Sequence, residues 1–399
     1  MVTNEQKQQT PIRVCLACDN KFTIHCAQVI SSVISNHKSE ENLEFYILNS
    51  SISDENLKRL KKMEKNDSVK IFPIKVEASK FKNCPVPEDM YYSLEAYYRL
   101  AIPELLFGVE KVIYLDCDVT VLGDIAELWA VDVSGMYAAA CKEFSPVSHM
   151  SRFMDETLYF NSGVMVINCK KWREENIFLK SMEFVNQNAE HIIYVEQDVL
   201  NALLSERIFH LKKCWNFEYM PFNTGVKDLS DEQIKLIHYV SRWKPWNKFG
   251  HIYAGIYFKY LAKTPWKWQV LKIKSILALQ HRCRPLLMID CRRRLEHTVK
   301  KRKAVLWGAS LFISKIIEKY SLKTSDILGI IDVNPEKWGK KIGNYTIFPP
   351  HELLNLEPDL VISAVLGQPK MKQKISRELE KFGCNIEIND KLFCNIGEY

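Results

Sequence analysis

Short apolar segments alternate with helix-patterned segments from residue 12 onward, and this rhythm constrains the fold more than any other feature of the chain. The strands that the apolar runs predict are Ile12–Ala17, Glu44–Leu48, Val69–Pro73 and Lys111–Leu115. Helical spacing covers Cys26–Asn36 and Asp54–Lys65, and Ser53 or Asp54 can cap the second helix. The alternation predicts an α/β fold with a mostly parallel sheet, helices on both faces and ligands beyond the carboxyl ends of the strands.

The pattern changes after Trp266. A Trp- and Arg-rich amphipathic stretch runs to Lys303, and Pro285 is expected to break it into two helices. A second βαβ pattern follows, with strands at Ala304–Leu306, Ile327–Asp332 and Leu360–Val365 and a helix over Ser310–Tyr320. We therefore expect one domain over 1–265, a basic helical connector over 266–303 and a small α/β domain over 304–399.

Positive charge is concentrated in the connector, where twelve Lys or Arg residues stand against two acidic residues. The whole chain carries a formal net charge of +7, so the remainder is slightly acidic. Because the positive field is local, nucleic acid is not expected as a partner. Two roles stay open for the connector: peripheral contact with an anionic membrane, or packing at a domain interface.

The first ten residues are polar, and no charged-then-apolar leader precedes the first strand, so export is not expected. The apolar windows are shorter than the roughly 20 residues that span a bilayer. Twelve cysteines in such a chain indicate reduced, mostly buried thiols, and for the pair Cys15 and Cys18 packing is favoured over zinc or redox chemistry. We expect a cytoplasmic protein, either soluble or peripheral on the inner face of the membrane.

Asp116 and Asp118 end the buried-type strand that begins at Val112. Two carboxylates this close repel each other, and a hard divalent cation such as Mg²⁺ or Mn²⁺, which also takes diphosphate oxygens, would offset that repulsion. A strand-terminal turn with solvated acids is the alternative interpretation.

A second candidate ligand, His238, is followed six residues later by Lys244. Imidazole suits Mn²⁺ better than Mg²⁺, so Mn²⁺ is the expected cofactor and Mg²⁺ its substitute. An ammonium near a diphosphate stabilises the charge that grows on a departing nucleotide. A half-buried core histidine is the alternative for His238.

Six motifs follow one another in the first predicted domain: Ala17–Asn20, Tyr98–Leu100, Tyr114–Asp118, Tyr159–Val164, Glu196–Asn201 and His238–Trp246. In this order they resemble the retaining glycosyltransferases of family 8, which have the GT-A nucleotide-diphospho-sugar transferase fold, and in particular bacterial lipopolysaccharide-type enzymes. The resemblance covers residues 12 to 265. It implies a hexosyltransferase that moves galactose or glucose from a UDP-sugar to a hydroxyl of a glycan or glycoprotein acceptor, such as a cell-surface polysaccharide or a serine-rich adhesin.

The resemblance also implies roles for individual residues. Asp116, Asp118 and His238 match the manganese ligands. The donor-binding positions that it implies are Ala17, Asp19, Lys21, Arg99, Asp116, Cys117, Asn161, Glu196 and Ser241. Two positions depart from the family pattern. The family often has Asn at the position of Lys21 and usually has Gly at the position of Ser241.

The catalytic positions implied in the same way are Gln197, Asp198 and Lys244. Gln197 matches a position near the anomeric carbon, yet an uncharged amide is a feeble nucleophile. We therefore expect front-face attack, in which the leaving phosphate oxygen takes the acceptor proton and Gln197 steadies the oxocarbenium-like centre. Helix capping is the alternative for Gln197 and Asp198.

The C-terminal pattern starts with Leu306–Ser310, and Asp332 closes the next strand at a distance typical of a dinucleotide fold. The glycine fingerprint is incomplete, because Ser310 stands where a glycine would let pyrophosphate approach the backbone. We expect a Rossmann-like add-on for acceptor recognition or oligomerisation. Two alternatives for the whole protein remain: an NAD(P)-dependent oxidoreductase acting through this domain, and a non-catalytic sugar-nucleotide-binding protein.

Overall fold

The computed structural model describes residues 10–87, 92–143, 147–219, 230–240, 243–322, 324–365, 371–390 and 392. The chain folds into two compact units, Met1–Ser275 and Ile276–Tyr399. The domain limits at 265 and 303 stay predictions.

The first unit contains ten strands and eight α-helices among its described residues. The strands are β1 (Ile12–Ala17), β2 (Leu43–Asn49), β3 (Val69–Lys75), β4 (Lys111–Leu115), β5 (Val119–Val121), β6 (Ala138–Lys142), β7 (Phe160–Asn168), β8 (Ile208–His210), β9 (Phe217–Glu218) and β10 (Leu236–His238). The helices are α1 (Thr23–Asn36), α2 (Asp54–Lys61), α3 (Ile102–Leu105), α4 (Ala126–Trp129), α5 (Cys169–Glu174), α6 (Ile177–Asn188), α7 (Val195–Leu204) and α8 (Ala254–Leu261).

Seven of these strands form one sheet in the order β3-β2-β1-β4-β7-β6-β8. Only β7 runs against its neighbours, and the other described pairs are parallel. Side chains of α5 and α7, such as Trp172 and Leu200, share a core with Tyr114 of β4 and Met165 of β7. Because the central strands are buried, they read as nearly continuous apolar runs. The prediction of an α/β fold with a largely parallel sheet is confirmed.

Local sequence patterns determine the bounds of the strands and helices that lead to the site. The bounds of β1 and β4 agree with the predicted strands, and Ser53 caps α2 by accepting a hydrogen bond from the backbone N–H of Asn56 at 3.3 Å. Helix α2 ends at Lys61 rather than Lys65, and α1 begins at Thr23 rather than Cys26.

A three-stranded sheet of order β5-β10-β9 stands beside the end of β4. Strands β5 and β10 pair antiparallel, with His238 opposite Val119, and the backbone N–H of Tyr239 donates to the carbonyl of Asp118. This pairing brings His238 to the end of β4, from which it is separated by more than a hundred residues of chain.

The expectation that Pro285 divides the connector is wrong. Helix α9 (Trp268–Val299) runs without a break, with Pro285 inside it. A proline in a helix interior removes one backbone hydrogen bond and costs about 3 kcal/mol. Helix α9 is 32 residues long, and the turns on either side of Pro285 keep their own hydrogen bonds. Among the described residues, no helix has the length and apolar character needed to span a bilayer.

The described residues of the second unit form six strands in the order β13-β14-β12-β11-β15-β16. Its strands are β11 (Ala304–Trp307), β12 (Ile327–Ile331), β13 (Lys341–Ile342), β14 (Tyr345–Phe348), β15 (Leu360–Ser363) and β16 (Glu387–Asn389), and its helices after α9 are α10 (Leu311–Ser314), α11 (Leu353–Leu356) and α12 (Met371–Lys381). All described pairs except β13 with β14 are parallel. A π-helical turn at Lys315–Lys319 replaces the second half of the helix predicted over Ser310–Tyr320.

Candidate active site

A cleft opens beyond the carboxyl ends of β1 and β4, where a sheet of this kind binds ligands. Residues from the ends of these strands, from α7 and from β10 line it. The predicted site residues among its lining are Ala17, Asp19, Arg99, Asp116, Cys117, Asp118, Asn161, Glu196, Gln197, His238 and Lys244. The structure thus brings together most of the positions that the sequence singled out.

Asp116, Asp118 and His238 form the most compact polar group of the cleft. One oxygen of each carboxylate and one imidazole nitrogen all lie within 4.8 Å of one another. His238 Nε2 is 3.2 Å from Asp118 Oδ1 and 3.8 Å from Asp116 Oδ2. Two carboxylate oxygens and one imidazole nitrogen suit a divalent cation such as Mn²⁺, so these residues fit the expected metal.

The orientation of His238 is fixed from behind. Its Nδ1 donates a hydrogen bond to Asn216 Oδ1 at 2.9 Å, and Asn216 Nδ2 donates to Asn161 Oδ1 at the same distance. With the proton on Nδ1, the Nε2 lone pair faces the two carboxylates. Ligating histidines in proteins are oriented by a similar outer hydrogen bond.

Gly163 of β7 leaves the room that this group needs. A Cβ built at Gly163 would lie 2.4 Å from His238 Cε1 and 2.7 Å from Asp116 Oδ2. Both distances are far below van der Waals contact, so a side chain at this position would displace the imidazole or the carboxylate. The close approach explains a glycine in the middle of a fully buried strand.

Lys244 balances the charge of Asp118. Its ammonium, which is buried, donates to Asp118 Oδ2 and to the carbonyl oxygen of Tyr239. Burial alone would raise the pKa of Asp118, but Lys244 and His238 outweigh it and hold that pKa well below its ordinary value. Burial would likewise lower the pKa of His238, whereas Asp118 and Asp116 raise it. The group therefore holds an ionised Asp118 at neutral pH.

Arg99 ties the metal group to the residues beside α7. Its Nη2 is 2.6 Å from Asp116 Oδ1 and its Nε is 3.1 Å from Glu196 Oε1. Its Nη1 donates to the carbonyl of Ser162 at 2.8 Å, and the guanidinium lies 4.3 Å from the ring centroid of Tyr114. A buried arginine with two carboxylate partners fixes both carboxylates in place.

The carboxylate of Glu196 and the amide of Gln197 differ in their hydrogen bonding. Glu196 Oε2 is buried and has no hydrogen-bond partner within the described part of the chain. Burial, opposed by Arg99, raises the pKa of Glu196 to about 7. Gln197 Oε1 accepts a hydrogen bond from the backbone N–H of Ser162 at 2.9 Å. Both side chains line the cleft, so both can face a ligand that binds there.

Asp198 is placed differently from its two neighbours. It is fully buried, is not among the residues that line the cleft, and accepts hydrogen bonds from the backbone N–H groups of Ile193 and Tyr194 at 2.7 and 2.8 Å. Tyr159 donates to it at 2.6 Å, and His149 Nε2 lies 3.0 Å away. Asp198 thus holds the loop before α7, and both the catalytic role and the capping role considered for it stay predictions.

The other predicted donor residues lie at the cleft or beside it. Asp19 Oδ1 accepts from the backbone N–H of Phe22 at 2.7 Å, and the thiol of Cys117 donates to the carbonyl of Ala17 at 3.4 Å. Lys21 is exposed and is not among the lining residues. Ser241 lies outside the described residues.

The sequence-based prediction missed several residues of the site, among them a supporting residue, Asn216, and a lining residue, Glu218. Asn216 orients His238, and Glu218 of β9 lines the cleft next to His238. Burial and the nearby Glu143 raise the pKa of Glu218 to about 8. Neither residue stands in a recognisable pattern, and only the pairing of β9 with β10 brings them to the site.

Comparisons with known proteins agree with this arrangement. The family model for glycosyl transferase family 8 matches residues 13–250, and that of a C2185-like N-terminal family matches residues 300–389. General stress protein A of Bacillus subtilis is 29% identical over 265 residues, which span 62% of this chain and 92% of that protein. A lipopolysaccharide 1,2-glucosyltransferase of Escherichia coli is 30% identical over 275 residues, or 65% of this chain and 80% of that enzyme.

A crystal structure of the galactosyltransferase LgtC in complex with donor and acceptor sugar analogs matches the fold with a TM-score of 0.57, at 24% identity over 65% of this chain and 99% of that one. Fold and family match together define a glycosyltransferase with a GT-A-like architecture. The chain belongs to glycosyl transferase family 8. The family and the GT-A-like fold that the six sequence motifs predict are thus confirmed.

Proposed function

We propose that the protein is a retaining hexosyltransferase that moves galactose or glucose from a UDP-sugar to a hydroxyl group of a glycan or glycoprotein, with Mn²⁺ as cofactor and Mg²⁺ as its substitute. The observation that carries this proposal is the group of Asp116, Asp118 and His238, with ligand atoms within 4.8 Å of one another. The named activities of the relatives, a lipopolysaccharide 1,2-glucosyltransferase and a 1,3-galactosyltransferase, support this choice of sugars.

The metal would be held by Asp116, Asp118 and His238. When bound, it neutralises the charge of a diphosphate. Lys244 stands next to Asp118, where its ammonium can stabilise the negative charge of a departing UDP. Arg99 holds Asp116 from the opposite side, so the carboxylate does not have to reorganise when a donor binds.

The residues near the donor sugar favour front-face attack. Backbone N–H groups, Tyr159 and His149 surround the carboxylate of Asp198, which disfavours Asp198 as a nucleophile. A catalytic role for Asp198 stays a prediction. Gln197 carries an uncharged amide, which is a poor nucleophile, but its oxygen can steady a positively charged sugar centre. The acceptor hydroxyl would then lose its proton to the leaving phosphate oxygen.

Glu196 is the competing nucleophile. One of its oxygens is bound to Arg99, and the other has no partner among the residues that the structure describes. A covalent glycosyl-enzyme at Glu196, trapped with a slow donor and located by mass spectrometry of peptides, would replace front-face attack with double displacement. Its absence while UDP is released supports the front-face route.

Incubation of the protein with Mn²⁺ and a panel of sugar nucleotides tests the proposal. We expect slow UDP release from UDP-galactose or UDP-glucose without acceptor, loss of this release with a chelator, and loss in His238→Ala. His210→Ala, which alters an exposed histidine of β8, is the matched control and should keep the activity. Intact donors under all conditions, or release that a chelator does not change, would contradict the proposal. Binding of UDP without release, even with acceptor, would instead indicate a non-catalytic binding protein.

The C-terminal strands are proposed as a Rossmann-like add-on without a catalytic role. Three contacts around the turn after β11 support this proposal. Asp332 Oδ2 accepts from the backbone N–H of Ala309 at 2.8 Å and pairs with Lys337 at 3.0 Å, and a Cβ at Gly308 would lie 2.3 Å from Val365 Cγ2. The carboxylate and the glycine turn are thus engaged within the chain, which disfavours an oxidoreductase. Unchanged tryptophan fluorescence on adding NADH would support this.

Peripheral contact with an anionic membrane is proposed for 266–303. In the part of helix α9 that belongs to the second unit, the side chains of Leu279 and Leu286 are exposed, seven residues apart and so on one face, among exposed basic residues. Leu279→Asp should weaken sedimentation with phosphatidylserine vesicles, whereas Leu179→Asp, at an exposed site on α6, should not. Equal sedimentation of both variants would contradict the proposal.

A further inference from the structure

Three cysteines meet beside the cleft. One of them, Cys117, is also a predicted donor-binding position, but the proposed reaction uses none of the three thiol groups. They are Cys18, just after β1, Cys26 of α1, and Cys117, just after β4, and one sulfur from each lies within 4.8 Å of the other two. All three are buried, and none is in a disulfide. The C-x-x-C motif of Cys15 and Cys18 does not explain the group, because Cys15 is not part of it.

Sheet topology explains why the three meet. Strands β1 and β4 are parallel neighbours in a register that sets Cys15 beside Tyr114. Three residues further along each strand, the chain therefore reaches Cys18 and Cys117 at the same sheet edge. Helix α1 begins five residues after Cys18 and returns over that edge, where Cys26 supplies the third sulfur.

The sulfur positions suit a small thiophilic cation. A Zn–S bond is about 2.3 Å long, so an ion in the plane of three sulfurs needs them about 4 Å apart. The observed limit of 4.8 Å allows this with shifts of a few tenths of an ångström in each side chain. Thiolates select soft or borderline cations, whereas the carboxylates and imidazole of Asp116, Asp118 and His238 suit Mn²⁺.

The group also has a path from solvent. Cys18 and Cys117 line the cleft, whereas Cys26 is fully buried behind them. An ion that enters the cleft can therefore meet two sulfurs first and be closed off by the third. Ligand kind, ligand distances and an entry path are among the requirements of a metal site, and this group meets these three. Three protein ligands would leave a fourth position open on a tetrahedral ion.

We propose that Cys18, Cys26 and Cys117 form a three-thiolate site for a zinc-class cation, distinct in its donor atoms from the carboxylate–imidazole group. Binding replaces the three thiol protons, which go to solvent, and involves no oxidant. The two sites share the segment 116–118, because Cys117 lies between the two carboxylate ligands.

Cadmium titration of the metal-free full chain tests the site, because Cd²⁺–thiolate bonds absorb in the ultraviolet where Mn²⁺ complexes do not. We expect one equivalent of Cd²⁺ to produce this absorption in the wild type. Cys26→Ser should weaken binding at least tenfold. Cys169→Ser changes another fully buried helix cysteine outside the group and should bind as the wild type does. No thiolate absorption at one equivalent, or equal binding by Cys26→Ser, would overturn the proposal.

A second measurement uses only the wild type and so does not depend on the folding of a variant. Alkylation with and without one equivalent of Cd²⁺ is continued until all three buried thiols react in the metal-free protein, and labelling is followed by peptide mass spectrometry. It should show slower labelling confined to Cys18, Cys26 and Cys117, and equal labelling rates with and without Cd²⁺ would overturn the proposal. Protection of other cysteines in their place would overturn the assignment. Neither measurement depends on sugar transfer, so either can fail while the proposed reaction stands.

Discussion

Replacing Gly163 with alanine places one methyl group inside the candidate metal group. The new Cβ would lie 2.4 Å from His238 Cε1 and 2.7 Å from Asp116 Oδ2. To restore van der Waals contact, the imidazole would have to retreat by about 1 Å. Metal sites tolerate ligand shifts of only about 0.2 Å, so Gly163→Ala should remove His238 as a ligand.

The size of the effect follows from these distances. Loss of outer-shell support for a ligand typically weakens metal binding 10- to 100-fold, and we expect at least this loss of Mn²⁺ affinity for Gly163→Ala. Overpacking of a rigid buried strand should also cost about 1–3 kcal/mol of the free energy of unfolding. Metal affinity should therefore fall in a protein that still folds.

Titration of the metal-free protein with Mn²⁺, followed by the electron paramagnetic resonance signal of the free ion, measures the affinity. Gly255→Ala is the matched control, because a Cβ there meets nothing within 4 Å and the residue lies in α8. The control should bind Mn²⁺ as the wild type does. Wild-type Mn²⁺ affinity in a folded Gly163→Ala protein would refute the placement of the metal between Asp116 and His238.

Three further predictions concern stability. Glu218→Gln should leave stability unchanged below about pH 4.5 and raise it by roughly 2–4 kcal/mol above pH 8. The unfolded wild type gives up the Glu218 proton near pH 4.5, whereas the raised pKa of about 8 makes the folded wild type keep it, so the wild type alone loses stability between these pH values. Urea unfolding across this range measures the difference, and a similar gain in the exposed control Glu183→Gln would contradict the prediction. Asp198→Ala should lower the free energy of unfolding by roughly 3–5 kcal/mol, since it leaves two backbone N–H groups unpaired, and full stability with lost activity would instead indicate a chemical role. Ser53→Ala should cost about 1 kcal/mol in thermal unfolding through loss of a helix cap, and no change would show that the cap contributes nothing.

The parts of the fold and site that sequence predicts are those that local patterns determine. Strand β4 is apolar over nearly its whole length and ends just before Asp116, so both its bounds and the adjacent acidic pair can be read directly from the residues. The family motifs extended this to Arg99, Glu196 and Gln197, which the structure places in one cleft.

The remainder depends on long-range pairing. Nothing near Asn216 or Glu218 in sequence shows that β9 lies beside β10, and only this contact brings them to His238. Asp198 shares a motif with Gln197, but the turn into α7 directs it away from the cleft toward the loop at Ile193. Pro285 predicts a helix break that the adjoining turns of α9 override.

In the proposed function, Asp116, Asp118 and His238 hold one divalent cation against a nucleotide diphosphate. The most direct test is an anomalous difference map from a crystal grown with MnCl₂ and UDP, collected near the manganese absorption edge. We expect a single peak within ligating distance of all three side chains and of the diphosphate oxygens. A map in which UDP is bound but no peak touches His238 would contradict it.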